Sequence, residues 1–136
     1  WGTFKPVNVE NVSDHTMHAE AYTLNSDTAN AINRAKSDGR RVVVIGTTAV
    51  RVLESLATMS EDGLLEPGSG WTDIFITPGH SFSVMNALIT NFHLPRSTLL
   101  MLTSAFTGHD LLRRAYTVAV QRRYRFYSLG DAMLIL

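Results

Sequence analysis

The fold is decided by the stretch Val42-Val43-Val44-Ile45-Gly46-Thr47-Thr48, near the middle of a chain of 136 residues. Its four β-branched residues form an apolar run too short for a helix, so the run predicts a buried strand. Apolar residues then recur at helical spacing over residues 49–59. A strand, a glycine turn and a helix in this order place free backbone N–H groups at the helix start, which suits an anion or polar ligand.

The turn itself leaves two interpretations open. It lacks the second glycine and the lysine of a P-loop, and the repeated glycines of a dinucleotide-binding loop. Gly46, Thr47 and Thr48 therefore either approach a ligand through the backbone, or Gly46 only turns the chain while Thr48 caps the helix. Arg51 and Glu54 follow at a spacing of three, which predicts an ion pair on one helix face.

The same reasoning assigns elements to the rest of the chain. Helices are predicted at residues 26–38, 97–106 and 110–123, and a loop at residues 61–70. Ser26 can cap the first of these helices, and Gly39 after it supplies a left-handed stop. Strands are predicted at residues 4–12, 71–77, 87–90 and 132–136. Short apolar strands that alternate with helices indicate an α/β fold, with a mainly parallel, Rossmann-like sheet between flanking helices.

Composition narrows the class of protein. Apolar residues make up 45% and charged residues 18% of the chain, as in a folded globular protein. The absence of cysteine excludes disulfides, thiolate nucleophiles and zinc–thiolate sites. No membrane segment or signal peptide is predicted, so we expect a cytoplasmic location without membrane binding. The chain begins at Trp1 without an initiator methionine, and we interpret it as a fragment that lacks its N-terminal part.

Charge is balanced over the whole chain, with twelve basic and twelve acidic residues, but not locally. The last 26 residues hold five arginines against Asp131 alone, which suggests an anionic partner for this end. On the predicted helix, Arg114 and Arg122 lie about 80° apart and are the best pair to follow one phosphate track. The alternative is that these arginines cover apolar surface or pair with acids.

Two polar clusters could carry chemistry. His18 and Glu20 would share a face of an extended strand and suit proton transfer, although a solvated turn is the simpler interpretation. A zinc site with His15 is not favoured, because no regular geometry gathers all three side chains; we expect no metal. Asn91, Phe92 and His93 follow a predicted buried strand, where α/β sheets bind ligands. Phe92 could stack on a flat ring there, whereas a single histidine is often only a loop residue.

Six runs of sequence, taken together and in this order, resemble a known family. They are Gly2-Thr3-Phe4; Asp14-His15-Thr16-Met17-His18-Ala19-Glu20; Gly46-Thr47-Thr48 with Arg51, Leu53 and Glu54; Gly70-Trp71-Thr72-Asp73-Ile74-Phe75-Ile76; Leu88-Ile89-Thr90-Asn91-Phe92-His93-Leu94-Pro95 with Ser97-Thr98-Leu99-Leu100-Met101; and Tyr124-Arg125-Phe126 with Gly130-Asp131-Ala132-Met133-Leu134. The chain is similar over nearly its whole length to the C-terminal part of the S-adenosylmethionine:tRNA ribosyltransferase-isomerases of the queuosine pathway. Ala49 and Val52 depart from the hydroxyl residues expected there.

The resemblance implies a ribosyl transfer. Members of the family move the ribosyl part of S-adenosylmethionine onto 7-aminomethyl-7-deazaguanine at the tRNA wobble position, which gives epoxyqueuosine, adenine and methionine. S-adenosylmethionine is then a substrate, and no cofactor is expected. Residues 1–136 would form the C-terminal part of the larger α/β domain, without the upstream portion and a β-barrel-like domain. We expect the complete enzyme to be a monomer and the fragment alone to be inactive.

That reaction requires a base for the C5′ proton and an acid for the departing adenine. The candidates are His18, Glu20 and His93. Seven residues are predicted to bind S-adenosylmethionine: Gly46, Thr47, Thr48, Arg51, Asp73, Asn91 and Phe92. Two residues are predicted to contact tRNA: Arg114 and Arg122. The competing hypothesis is a non-catalytic module that binds tRNA or a nucleotide. A methyltransferase is disfavoured because its glycine-rich loop is missing.

Overall fold

The computed structural model describes residues 17–136 of the chain. This part contains five strands, four α-helices and a short 3₁₀ helix at Tyr127–Leu129. The strands are β1 (Glu20–Leu24), β2 (Val43–Ile45), β3 (Gly68–Thr72), β4 (Ala87–Asn91) and β5 (Ala132–Ile135). The helices are α1 (Ser26–Ser37), α2 (Thr47–Met59), α3 (Thr98–Thr107) and α4 (His109–Gln121).

The strands form two small sheets. In the three-stranded sheet, β4 lies between β2 and β5 and runs parallel to β2, with Val44 opposite Leu88. It runs antiparallel to β5, and the second sheet pairs β1 with β3, also antiparallel. The α/β class is therefore confirmed. A mainly parallel, Rossmann-like sheet is not confirmed, because one of the three pairings among the described residues is parallel and two are antiparallel.

All four predicted helices within residues 17–136 form, each within a few residues of its predicted bounds. The start of α1 differs in detail: Asn25, not Ser26, is the N-cap, and its side chain accepts the N–H of Thr28 at 2.8 Å. Gly39 follows α1 with φ of +67°, as its predicted role as a left-handed stop requires. Ser97 caps α3 by accepting the N–H of Leu100.

The third strand is the main error of the sequence prediction. Residues 68–70, predicted as loop, belong to β3, whereas residues 73–77, predicted as strand, do not form one. The close approach of β1 explains why residue 70 is a glycine: a Cβ at Gly70 would lie 2.8 Å from the Tyr22 hydroxyl oxygen. Beyond β3, the Arg51 guanidinium takes the carbonyl of Ile74 that a neighbouring strand would otherwise bind. The segment is thus held by a side chain.

The core joins the inner face of the three-stranded sheet to α1 and α2. Val44, Leu88, Val50 and Ala29 are among its buried members, and Leu102 of α3 completes it. The predicted strand at residues 4–12 lies outside the described residues. Within the described range, no helix has both the length and the apolar character that crossing a membrane requires.

Candidate functional site

A cavity of about 1020 Å³ opens at the ends of the two parallel strands. Ile45 at the end of β2 and Asn91 at the end of β4 line it, together with residues 21–24 of β1 and the start of α2. Parallel strands place their carboxyl ends at the same edge of a sheet, where α/β proteins bind ligands. Its volume suits a nucleoside-sized ligand.

The start of α2 forms one wall of this cavity. Gly46, with φ of +90°, is the N-cap and offers no side-chain cap, so Thr48 is not the cap that the alternative interpretation assigned. The backbone N–H of Gly46 donates to the carbonyl oxygen of Ile89 at 2.9 Å. The N–H groups of Thr47, Thr48 and Ala49 have no acceptor in the described part of the chain, and all three residues line the cavity. This wall therefore favours an anionic group.

His93 also lines the cavity, in the segment that follows β4. Its Nε2 is 2.8 Å from the hydroxyl oxygen of buried Thr90, and its backbone N–H donates to the Tyr116 hydroxyl at 2.7 Å. Burial lowers the pKa of His93 to about 4, so the imidazole is neutral at pH 7. A neutral imidazole has one ring nitrogen that can accept a proton and one N–H that can donate a hydrogen bond. Sequence reasoning missed Thr90 and Tyr116, although Thr90 stands three residues before His93.

Two residues with left-handed backbones, one in the loop before α3 and one at the start of the 3₁₀ helix, also line the cavity. Arg96 has φ of +59° and Tyr127 has φ of +60°, and both line the cavity. The N–H of Tyr127 donates to the carbonyl of Phe92 at 2.9 Å, which ties the 3₁₀ helix to the end of β4. Arg96 is the one charged residue among those that line this cavity in the described part of the chain. The sequence prediction missed both residues.

Arg51 does not line the cavity and does not pair with Glu54, so the predicted ion pair on one helix face is wrong. Only 4% of the Arg51 side chain is exposed, and its Nη1 lies 2.7 Å from Oε2 of Glu20. The guanidinium also donates to the carbonyl oxygens of His18, Thr72 and Ile74. Arg51 thus joins the start of β1 to the segment after β3, and its donors are engaged within the protein.

Glu54 instead faces a loop. Its carboxylate is fully buried and accepts the backbone N–H groups of Ser83, Val84 and Met85 at 2.7, 3.0 and 3.0 Å. These three residues lead directly into β4, which carries the polar cluster at its end. Glu54 therefore fixes the path of the chain toward the cavity.

Several predicted site residues lie away from the cavity. His18 is exposed, Glu20 is half-buried against Arg51, and neither lines it. Asp73 is exposed on the segment after β3. Phe92 is 3% exposed, and its ring packs against Tyr116 and two further aromatic rings, so this placement does not support stacking on a ligand. The cavity gathers Gly46, Thr47, Thr48, Asn91 and His93.

The two predicted tRNA-binding arginines are exposed. Arg114 lies on α4 and Arg122 is its C-cap residue. Neither lines the cavity. Among the described residues, neither has an ion-pair partner. Within residues 17–136, both charges are therefore available to an anionic partner.

Fold and cavity together define an α/β protein with an open cavity at the carboxyl ends of its parallel strands. The sequence matches the family described as "Queuosine biosynthesis protein" over residues 1–135. The chain belongs to this family.

Curated relatives and a solved structure agree with that assignment. Proteins named S-adenosylmethionine:tRNA ribosyltransferase-isomerase are similar to this chain in Moorella thermoacetica (60% identical over 135 residues) and Natranaerobius thermophilus (58% over 134). The matches cover 99% and 98% of this chain, but 39% and 38% of those relatives. A crystal structure of S-adenosylmethionine tRNA ribosyltransferase from Thermotoga maritima has a TM-score of 0.75 and 47% identity, covering 85% of this chain and 40% of that chain. This chain thus spans about two fifths of the relatives' length.

Proposed function

We propose that this chain carries part of the active site of an enzyme that transfers and isomerises the ribosyl moiety of S-adenosylmethionine. The acceptor is 7-aminomethyl-7-deazaguanine at the wobble position of tRNA, and the products are epoxyqueuosine, adenine and methionine. The observation that carries the proposal is that the uncapped start of α2 and the neutral imidazole of His93 line one cavity. The names of relatives about 60% identical support this choice of reaction.

The two walls of the cavity suit different parts of S-adenosylmethionine. The methionine carboxylate would bind the free N–H groups at the start of α2, with the Thr47 and Thr48 hydroxyls beside it. The sulfonium acidifies the adjacent C5′ protons, and His93 is the group placed to accept one of them. Asn91, next to His93 at the end of β4, would bond to the ribose hydroxyls or the adenine ring.

The predicted residues outside the cavity receive different roles. We propose that Arg51 and Glu20 act as positioning residues, because their ion pair ties β1, whose residues 21–24 line the cavity, to the rest of the protein. His18 contributes to the same network through its carbonyl oxygen. Phe92 stabilises the segment that contains His93, because its ring packs against Tyr116. We assign the acid that protonates adenine to a group outside the described lining of this cavity, which contains no carboxyl group.

The reaction is tested with a chimera in which this chain replaces the matching 135-residue region of the Moorella thermoacetica relative. With S-adenosylmethionine and tRNA bearing the 7-deazaguanine precursor, we expect equimolar adenine and methionine, measured by liquid chromatography and mass spectrometry. The 136-residue chain alone should release neither. S-adenosylhomocysteine as product would identify a methyltransferase instead. Binding of tRNA without any product would favour the non-catalytic module.

Replacement of Arg114 and Arg122 by alanine should weaken tRNA binding by the chimera and flatten its salt dependence. Each lost phosphate contact removes a slope of about 0.7–0.9, so the pair should remove up to about 1.5 units. Binding is measured at a series of KCl concentrations. The double variant Arg34→Ala and Arg41→Ala, which also removes two exposed arginines, should leave the slope unchanged. An equal loss in both double variants would show a general charge effect and contradict a specific contact.

A further inference from the structure

A second cavity, of about 750 Å³, lies between α3 and α4. Its walls are mainly apolar and include Leu100 and Met101 of α3 and Leu112, Tyr116 and Val120 of α4. Among the described residues that line it, none is acidic. We refer to this cavity as the α3–α4 groove. Nothing in the proposed reaction uses it so far.

Two guanidinium groups border the α3–α4 groove. Arg96, in the loop before α3, and Arg113, on α4, both line it and both are exposed. Neither has an ion-pair partner within residues 17–136. Guanidinium groups that are free of carboxylates are available for bidentate contacts to phosphate.

The groove lies next to the cavity that His93 lines. Arg96 and Ser97 line both cavities. Tyr116, in the wall of the groove, accepts the backbone N–H of His93 at 2.7 Å. A ligand that extends from the His93 cavity past Arg96 would therefore enter the groove.

We propose that the α3–α4 groove binds a single-stranded nucleotide of the RNA acceptor, next to the base that is modified. The apolar walls would cover the faces of one base, while Arg96 and Arg113 would contact the phosphates on either side. This inference rests on the proposed function, which supplies RNA as the acceptor. RNA is favoured over an apolar protein segment because, within residues 17–136, the groove combines apolar walls with two unpaired positive charges and has no acidic lining residue.

The test is RNA binding by the 136-residue chain. Its probe is a fluorescein-labelled RNA hairpin whose single-stranded loop contains an unmodified guanine, and binding is followed by fluorescence anisotropy at several KCl concentrations. Val120→Glu places a carboxylate in the groove at a side chain that is 64% exposed, so folding should be unaffected. We expect it to weaken binding by about 5–150-fold, the range for loss of one stacked base. Arg113→Ala should lower the salt slope by about 0.7.

Each variant has a matched control outside the groove. Met59→Glu introduces the same charge at a helical side chain that is 68% exposed, and Arg34→Ala removes an exposed arginine of α1. Both should bind RNA like the parent chain. Thermal unfolding followed by circular dichroism checks that all four variants fold.

Weaker RNA binding in Val120→Glu and Arg113→Ala, with unchanged binding in the two control variants, would support the proposal. Unchanged binding in Val120→Glu, equal losses in Met59→Glu, or no binding by the parent chain would overturn it. Capture of a protein segment by the groove, with no competition from the hairpin, would also overturn it. Adenine release by the unsubstituted chimera tests the proposed function separately. Failure of the groove to bind RNA and failure of the enzyme to transfer the ribosyl group are therefore distinguishable outcomes.

Discussion

His93→Gln in the chimera is expected to slow adenine release by about 10²–10⁴-fold, the usual contribution of one acid–base group. The imidazole lines the cavity, is neutral because burial lowers its pKa to about 4, and is held by the Thr90 hydroxyl at 2.8 Å. Glutamine can keep a hydrogen bond to Thr90 but cannot accept the proton. The rate is measured in a single turnover with saturating S-adenosylmethionine and tRNA, so binding defects do not contribute.

Thr90→Val is the matched comparison, because it keeps the imidazole and removes the bond that orients it. Valine is close to threonine in shape, so the rate should fall less than in His93→Gln. Melting temperatures measured beside the rates separate catalysis from folding. A fall in melting temperature that accounts for the lost activity of His93→Gln would assign His93 a structural role.

The same histidine affects the pH dependence of stability. Its pKa is about 4 when folded and 6.5 as a free side chain, so the unfolded chain binds more protons between these values. The stabilisation by neutral His93 is therefore complete above pH 6.5 and is lost as the pH falls toward 4. His93→Gln should have a melting temperature that declines less steeply over this interval, because glutamine does not titrate.

Local sequence patterns predicted most of the elements that surround the cavity. The β-branched run, Gly39, Gly46 and the helical spacing of α2 act over a few residues, and such signals depend little on tertiary contacts. The position of the cavity also followed from sequence, because β2 and β4 were both predicted and their parallel pairing brings Gly46 and Asn91 to one edge.

Long-range contacts were beyond this reasoning. Gly68, Ser69 and Gly70 have weak strand propensity and pair only because β1 lies beside them, with Tyr22 over Gly70. The spacing of Arg51 and Glu54 predicted a mutual pair, but Arg51 finds Glu20, which is 31 positions away in the sequence. Helix periodicity shows which residues share a face and does not show what that face meets.

Glu54→Ala is expected to destabilise the 136-residue chain by about 3–5 kcal/mol. The carboxylate accepts three backbone N–H groups from residues 83–85, and each buried donor left without an acceptor costs about 1–3 kcal/mol. The removed side chain also leaves a cavity in the core. At this chain length the melting temperature should fall by roughly 10–17 °C, measured by circular dichroism and checked by urea unfolding.

Glu54→Gln should lie between the parent and Glu54→Ala. Its one remaining oxygen can still serve Val84 and Met85, which share Oε1, whereas its NH₂ group would face the N–H of Ser83 and lose that bond. Glu61→Ala, which removes an exposed carboxylate just beyond α2, should change stability by less than about 0.5 kcal/mol. If Glu54→Ala were as stable as Glu61→Ala, the loop would not depend on the carboxylate. Because residues 83–85 lead into β4, the same substitution in the chimera should also reduce adenine release at temperatures where the protein stays folded.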